Sequence, residues 1–313
     1  MRQSRFVGAA VLYVGLIACH RGAASSAASA GSAALPSALG SMLVGTAWVA
    51  DHLRDPNVVV LQVGSRAQYD SGHVAGARLV TLAEIAQPQV EGGLSLQMAS
   101  VEQLVTWAKA NGIGDRTRVV IVPHDENLQS ATRVFITMAY LGAFERTSVM
   151  NGSFKAWKAE GRAVSTAAPA APPAVAFTPR LHPELIASLA QVEAVTQDSG
   201  RTALVDARLP RFYNGDGGGY PRPGHIPTAV NIPLNTVSSN GFFKPAAELK
   251  SLFGQVGVNG DKPIITYCHI GQQATVLWFV ATLLGYDAKM YDGSFQEWSG
   301  TARLPLVAPP AKP

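Results

Sequence analysis

The chain has 313 residues, of which 47% are hydrophobic and 15% charged. That balance suits two ordinary domains with buried cores and excludes a disordered chain. The formal charge of +4 includes Arg2 and Arg5 near the N-terminus, and no basic run of five residues occurs, so nucleic acid is not an expected partner.

Residues 1–19 read as a targeting segment. Arg2 and Arg5 precede an apolar run from Phe6 to Ala18, which ends at Cys19. The run is too short to span a bilayer comfortably and has the build of a secretory h-region. Its end, "LIAC" (Leu16 to Cys19), resembles the lipobox of bacterial lipoproteins. That resemblance implies lipidation at Cys19 and a lipid anchor on the periplasmic side of a bacterial membrane, the alternative being an ordinary signal peptide with an incidental cysteine. Residues 20–41, rich in alanine and serine, read as a flexible tether.

Beyond the tether the chain repeats itself, which decides the architecture. The first copy opens with a β-rich run, Val58 to Val63, then a turn and "GHVAGA" (72–77). A second buried strand follows at Arg118 to Pro123, then a helix in "ATRVFITMAYLG" (131–142) stopped by Gly142, then a short strand and the aromatic turn "NGSFKAW" (151–157). Residues 165–180, dense in proline and alanine, read as a linker.

The second copy brings back the same blocks in the same order: "TALVDARLPRFY" (202–213), "GHIPTA" (224–229), a strand from Pro263 to Tyr267, "ATVLWFVATLLG" (274–285) stopped by Gly285, and "DGSFQEW" (292–298). Equivalent blocks lie 152 residues apart at "GHIPTA" but 143 and 141 apart at the last two, because "NGDGGGYPRPG" (214–224) carries extra residues. Strands alternating with helices predict an α/β protein of two tandem domains, 42–164 and 181–305, each a mainly parallel sheet flanked by helices, with a tail over 306–313.

Ligands of such sheets bind at the C-terminal ends of strands. There the second copy holds Cys268, the only cysteine besides Cys19, at the head of the loop "CHIGQQ" (268–273). Exported compartments favour disulfides, so a thiol left without a partner is either buried and inert or used for its reactivity. At a helix N-terminus, beside amides that the first turn leaves unpaired, the thiolate is favoured, and the thiolate is the nucleophile. Gly271 permits a positive φ that turns loop amides inward into an anion nest.

The pattern CxxGxxA (Cys268, Gly271, Ala274) after a buried strand, set among "LVDARLPRFY", "GHIPTAVNIP" and "YDGSFQEW", resembles the rhodanese superfamily in its tandem-domain sulfurtransferase form. The likeness spans about residues 42–305 and is strongest over 202–298. It implies an inactive N-terminal domain and a catalytic C-terminal one. In the latter, Cys268 takes sulfane sulfur as a persulfide from a small anionic donor, thiosulfate or 3-mercaptopyruvate. A thiophilic acceptor such as cyanide or a thiol then removes it, and no metal or organic cofactor is involved. The resemblance also implies an active-site loop of His269, Ile270, Gly271, Gln272, Gln273 and Ala274, substrate binding by Arg211, and a structural turn made by Asp206 and Arg208; Arg222, in the glycine-rich insertion, is a second candidate for the substrate.

Aligned through the helix block, Cys268 corresponds to Asp125 of the first copy, a carboxylate that cannot accept sulfur and repels an anionic donor. The loop matches neither the basic CRKGVT of thiosulfate enzymes nor the small-residue CGSGVT of mercaptopyruvate enzymes, so the donor stays open. His269 is expected either to be partly protonated and assist an anion or simply to cap the loop.

Other readings are weaker. Cys268 beside His269, with no CxxC, is a poor metal site. His73 and His225 occupy equivalent places and so suit a shared structural role, while Trp157 and Trp298 suit the core. "DGGG" (216–219) lacks the GxGxxG form of a nucleotide loop and is expected to border the cleft. A cysteine phosphatase needs CxxxxxR, whereas the sixth residue after Cys268 is Ala274. From a different class, a non-catalytic sulfur carrier or binding module of the same fold is the alternative.

Overall fold

A computed structural model of the chain describes residues 42–217, 219–220 and 222–307. The leader with Cys19, the tether and residues 308–313 of the tail lie outside the described residues.

Each half is built on a five-stranded sheet. The first contains β1 (Leu43–Val44), β2 (Val58–Val63), β3 (Arg78–Val80), β4 (Arg118–Pro123) and β5 (Thr147–Met150), in the spatial order β1-β5-β4-β2-β3. The second contains β6 (Ile186–Ala187), β7 (Ala203–Asp206), β8 (Val230–Asn231), β9 (Ile264–Tyr267) and β10 (Ala288–Tyr291), in the order β6-β10-β9-β7-β8. Equivalent strands therefore trace one path twice, and every pairing in both sheets is parallel.

The central strands read as continuous apolar runs because both sheet faces are covered. Val119 and Ile121 enter a core shared by the two halves, while Val120 and Val122 join an outer core around Trp157. In the second half Ile264 faces the shared core, and Ile265 and Tyr267 face an outer core around Trp298. The period-two alternation of a strand thus sorts side chains between two hydrophobic bodies.

The two predicted helices form over Gln129–Tyr140 and Ala274–Leu283. Each ends as its sequence suggests. Gly142 and Gly285 take φ of 86° and 80°, and the next amide reaches back five residues, Ala143 to Met138 and Tyr286 to Ala281. That geometry closes the last turn and needs glycine. The second helix is buried along nearly its whole length, as a run of apolar residues on all sides requires.

These helices pack against each other. Thr132 and Thr275, 143 residues apart, share a hydrogen bond of 2.7 Å between their hydroxyls, and the rings of Phe135 and Trp278, equivalent at the same spacing, lie 6.1 Å apart. Residues that meet their own counterparts mark a two-fold axis, here an approximate one within a single chain.

Three details differ from the sequence reading. The aromatic turns lead straight into short helices, Phe154–Ala159 and Ser294–Gly300. The linker runs over the first half and is fastened to it, with the Thr178 amide donating to Asp115 Oδ1 at 2.7 Å and Arg78 to the Ala170 carbonyl at 3.0 Å. Strand register also revises one equivalence. Ile121 pairs with Val149 as Thr266 pairs with Met290, so the strand end that matches Cys268 is Pro123. Asp125 instead lies two residues past that strand end, in the loop before the helix, where its carboxylate accepts the Asn127 amide at 2.9 Å. The first half still offers no thiol.

Phe135 packs edge-on against Phe279 at 4.9 Å in the shared core. Phe135→Ala is expected to cost about 3–5 kcal/mol, read as a lower denaturation midpoint in urea. A midpoint unchanged from wild type would show that the helices do not bury this face.

Candidate active site

β9 ends at Tyr267 and the helix begins at Ala274, so residues 268–273 form the loop at the C-terminal edge of the second sheet. Cys268 is fully buried and unpaired. The backbone N–H groups of Ala274, Ile270, Gly271 and Gln273 act on its sulfur and favour the thiolate. Burial nonetheless outweighs them and pushes the thiol above its ordinary pKa. The expected gain from helix terminus and amides is present, but removing a charge from water costs more than they return.

The loop rests on the "DGSFQEW" turn. Gly271 takes φ of 80°, and a Cβ there would lie 2.5 Å from the Asp292 carbonyl oxygen, so this contact admits only glycine. Ser294 holds φ of 51°, a left-handed conformation unusual for a side-chain-bearing residue. Its Oγ accepts the Cys268 amide at 3.1 Å and donates to the Tyr291 carbonyl at 2.8 Å. The amides of Phe295 and Gln296 donate to the carbonyls of Cys268 and His269, both at 3.0 Å. The repeated motif was visible in the sequence, but not its role as the loop's support.

On the other side lies the Asp206 and Arg208 pair. Arg208 is buried, donates to both carboxylate oxygens at 2.6–3.0 Å and to the Gly224 carbonyl at 2.9 Å, and stacks 3.9 Å above the Phe295 ring. Its Nε and Nη2 are thereby engaged within the fold.

The loop is roofed by aromatic residues that sequence reading did not single out. Tyr220, from the glycine-rich insertion, shares a hydrogen bond of 2.7 Å with His269 Nδ1 and meets Phe295 edge-on at 5.0 Å, while Phe212 meets His269 edge-on at 4.7 Å. Burial pushes Tyr220 up to about 12 and, with the nearby charges of Arg208 and Arg211, holds His269 down to about 4. His269 is therefore neutral near pH 7, its ring bonded to Tyr220, and the expectation of a partly protonated ring is not met. Tyr220 is also close enough to feel a charge on Cys268.

Of the two arginines proposed for a substrate, Arg211 is exposed, lies 4.3 Å from the Phe212 ring centre, and acts electrostatically on His269. Arg222 is placed otherwise. Its guanidinium donates to the carbonyls of Trp298, Ser299, Thr301, Ala302 and Leu304 at 2.7–3.5 Å, so all its donors cap the helix Ser294–Gly300 and none faces the loop. The expectation for Arg222 is thus corrected: a polar insertion suggested an anion contact, but exposed carbonyls at a helix end take the charge. Gln272 reaches the first half, donating to Ser130 Oγ at 3.1 Å. His73 and His225 each stack on a tyrosine, Tyr69 and Tyr213, at 3.8 Å, which is a shared structural arrangement.

A family model for the rhodanese-like domain matches the chain twice, over residues 45–160 and 188–301. The chain belongs to the rhodanese-like family as a tandem of two such domains. It is 35% identical over 281 residues to the sulfur carrier protein TtuD of Thermus thermophilus, covering 85% of this chain and 96% of that one. It is 30% identical over 281 residues to a Saccharopolyspora erythraea protein named for an inferred thiosulfate sulfurtransferase activity, covering 86% and 96%. Among solved structures, the fold matches the 3-mercaptopyruvate sulfurtransferase SseA of Escherichia coli with TM-score 0.73 at 24% identity, covering 82% of this chain and 99% of that one. It also matches an anaerobic ergothioneine biosynthesis enzyme of Chlorobium limicola with TM-score 0.75 at 23% identity, covering 87% and 71%.

The depressed His269 carries a sign for stability. Between its unfolded value of about 6.5 and its folded value of about 4, the unfolded chain binds a proton that the folded chain does not. Its contribution is therefore complete at neutral pH and is lost as pH falls through that window. The His269 ring resonances should titrate with a midpoint near 4 by NMR. An inflection near the ordinary histidine value would contradict the burial described.

Proposed function

We propose that this protein is a rhodanese-type sulfurtransferase in which Cys268 carries the transferred sulfur. The observation that supports it most is the convergence of four loop amides, from Ile270, Gly271, Gln273 and Ala274, on one buried thiol at the C-terminal edge of a parallel sheet. Backbone donors fixed in advance stabilise a sulfur anion without reorganising. Relatives named for sulfur carriage and sulfurtransferase activity point the same way.

In the proposed reaction the Cys268 sulfur, as thiolate, attacks the outer sulfur of thiosulfate. A new S–S bond forms, the donor's S–S bond breaks, and sulfite departs with the electron pair. The thiol proton leaves to water or with the sulfite. The persulfide anion then sits where the four amides converge. A thiophilic acceptor attacks its outer sulfur, and the Cys268 thiolate is released as the leaving group. In this reading Arg211, exposed and near enough to act on the charge of His269, meets the sulfonate of an incoming donor, since a guanidinium gives paired bonds to such oxygens. With 3-mercaptopyruvate the thiolate attacks the donor's sulfur, the donor's C–S bond breaks in place of an S–S bond, and pyruvate enolate departs with the electron pair and takes up a proton to give pyruvate.

A second reading has its own support: the relative at 35% identity is named a sulfur carrier. A carrier loads once and releases only to its partner, whereas an enzyme turns over. Steady-state thiocyanate formation from cyanide, with thiosulfate or 3-mercaptopyruvate as donor, separates them. The expected result is turnover with at least one donor that Cys268→Ser abolishes. Stoichiometric loading without turnover would transfer the assignment to the carrier, and activity surviving Cys268→Ser would end both readings.

We also propose, from the leader alone, that the mature protein is lipid-anchored through Cys19 on the periplasmic side of a bacterial membrane. Metabolic labelling with a fatty acid should mark the wild-type chain and not Cys19→Ser. Equal labelling of both would refute the anchor.

A further inference from the structure

We propose that Arg133, which belongs to the half without a thiol, is a positioning residue for the Cys268 loop: by holding Asp292 and the Gly271 carbonyl together it sets the aim of the amides that receive the sulfur. This rests on the reading of Cys268 as the sulfur-bearing residue.

Arg133 is fully buried on the helix Gln129–Tyr140. Its Nη1 donates to Asp292 Oδ1 in an ion pair and to the Gly271 carbonyl at 3.2 Å, and its Nη2 donates to the Leu96 carbonyl at 2.6 Å. One guanidinium thus joins the support turn, the cysteine loop and a segment of the opposite half. That segment is itself drawn onto the support turn. Met98 N donates to Asp292 Oδ2 at 2.9 Å, Gln97 Nε2 to the Asp292 carbonyl at 3.2 Å, and Ser95 N to Gln296 Oε1 at 2.8 Å. Leu96 sits at φ of 54°, a conformation a bulky side chain keeps only where its surroundings hold it.

The approximate two-fold axis supplies an internal control. The counterpart of Asp292 is Asn151, and its Oδ1 accepts the Phe243 amide at 3.0 Å much as Asp292 Oδ2 accepts that of Met98. The counterpart of Arg133, 143 residues on, is Val276. The same join is therefore made without charge on the side that has no cysteine. A buried ion pair contributes little stability over well-packed neutral groups, so stability alone does not account for the charged version. What it adds is the bond to Gly271. Glycine has no side chain to fix its peptide, and the amides of Gly271 and Gln273, on either side of that carbonyl, are two of the four that act on the Cys268 sulfur.

The double variant Arg133→Val, Asp292→Asn copies the neutral counterpart and leaves no buried carboxylate alone. Arg133→Lys keeps the charge and loses the planar fork. Single-turnover sulfur loading of Cys268 from thiosulfate is measured across pH, with thermal melting alongside. For the folded double variant, loading at saturating donor should fall by about 10- to 100-fold, with the pH profile moved to higher pH and the half-saturating thiosulfate concentration little changed. Arg133→Lys should show the same pattern. Wild-type loading and pH profile in either folded variant would overturn the proposal. If the double variant fails to melt cooperatively, Arg133→Lys decides. If the wild-type protein loads no sulfur, the Cys268 reading has failed instead. The pH dependence of Cys268 alkylation then still tests Arg133, which is overturned if wild type and variants coincide.

Discussion

The packing of the helix Gln129–Tyr140 against the helix Ala274–Leu283 is the contact on which the candidate site depends. Thr132 meets Thr275, and Phe135 enters the aromatic cluster of Trp278 and Phe279. Because these helices are counterparts, the start of one lies beside the start of the other, and the start of the second is where the Cys268 loop ends. Whatever the first half carries near its own helix start therefore falls against that loop. Arg133 and Ser130 do so from the helix, while Ser95, Gln97 and Met98, just before the helix Val101–Ala110, bond to the supporting turn at Asp292 and Gln296. The half without a thiol is thus part of the wall around the thiol.

Within that wall two physical effects oppose each other at Cys268. Burial removes water and disfavours charge, while four amides and a helix N-terminus favour it. The loop's own side chains supply no positive charge, since His269 is held neutral, and the nearby guanidinium groups of Arg208 and Arg133 are paired with Asp206 and Asp292. The loop's affinity for an anion therefore resides in backbone geometry, which depends on Gly271, Ser294 and the "DGSFQEW" turn being held in place. Arg211, outside the loop, is exposed and acts electrostatically on His269.

Much of this could be read from the sequence. The repeated blocks announced two α/β halves, Gly142 and Gly285 stopped the predicted helices, and the step from "PIITY" to "CHIGQQ" put the thiol at a strand end. What could not be read depends on contacts distant along the chain. Arg133 looked like one charged residue on a helix, because its partners Asp292, Gly271 and Leu96 lie 159, 138 and 37 residues away. Tyr220 was hidden in an insertion whose composition suggested only a loop beside the cleft. Arg222 suggested an anion contact, and only the structure could show that helix-end carbonyls take its donors. The equivalence of Cys268 with Asp125 failed because spacing was counted from the helix block, while strand register shifts the match to Pro123 and the first helix begins earlier, at Gln129.

The most direct test of the central claim is intact-mass and peptide mapping of the mature protein after exposure to thiosulfate without an acceptor. The account predicts a gain of one sulfur atom confined to the peptide bearing Cys268, lost on adding cyanide. A protein that stays unmodified under these conditions and with 3-mercaptopyruvate, while still correctly folded, would contradict it.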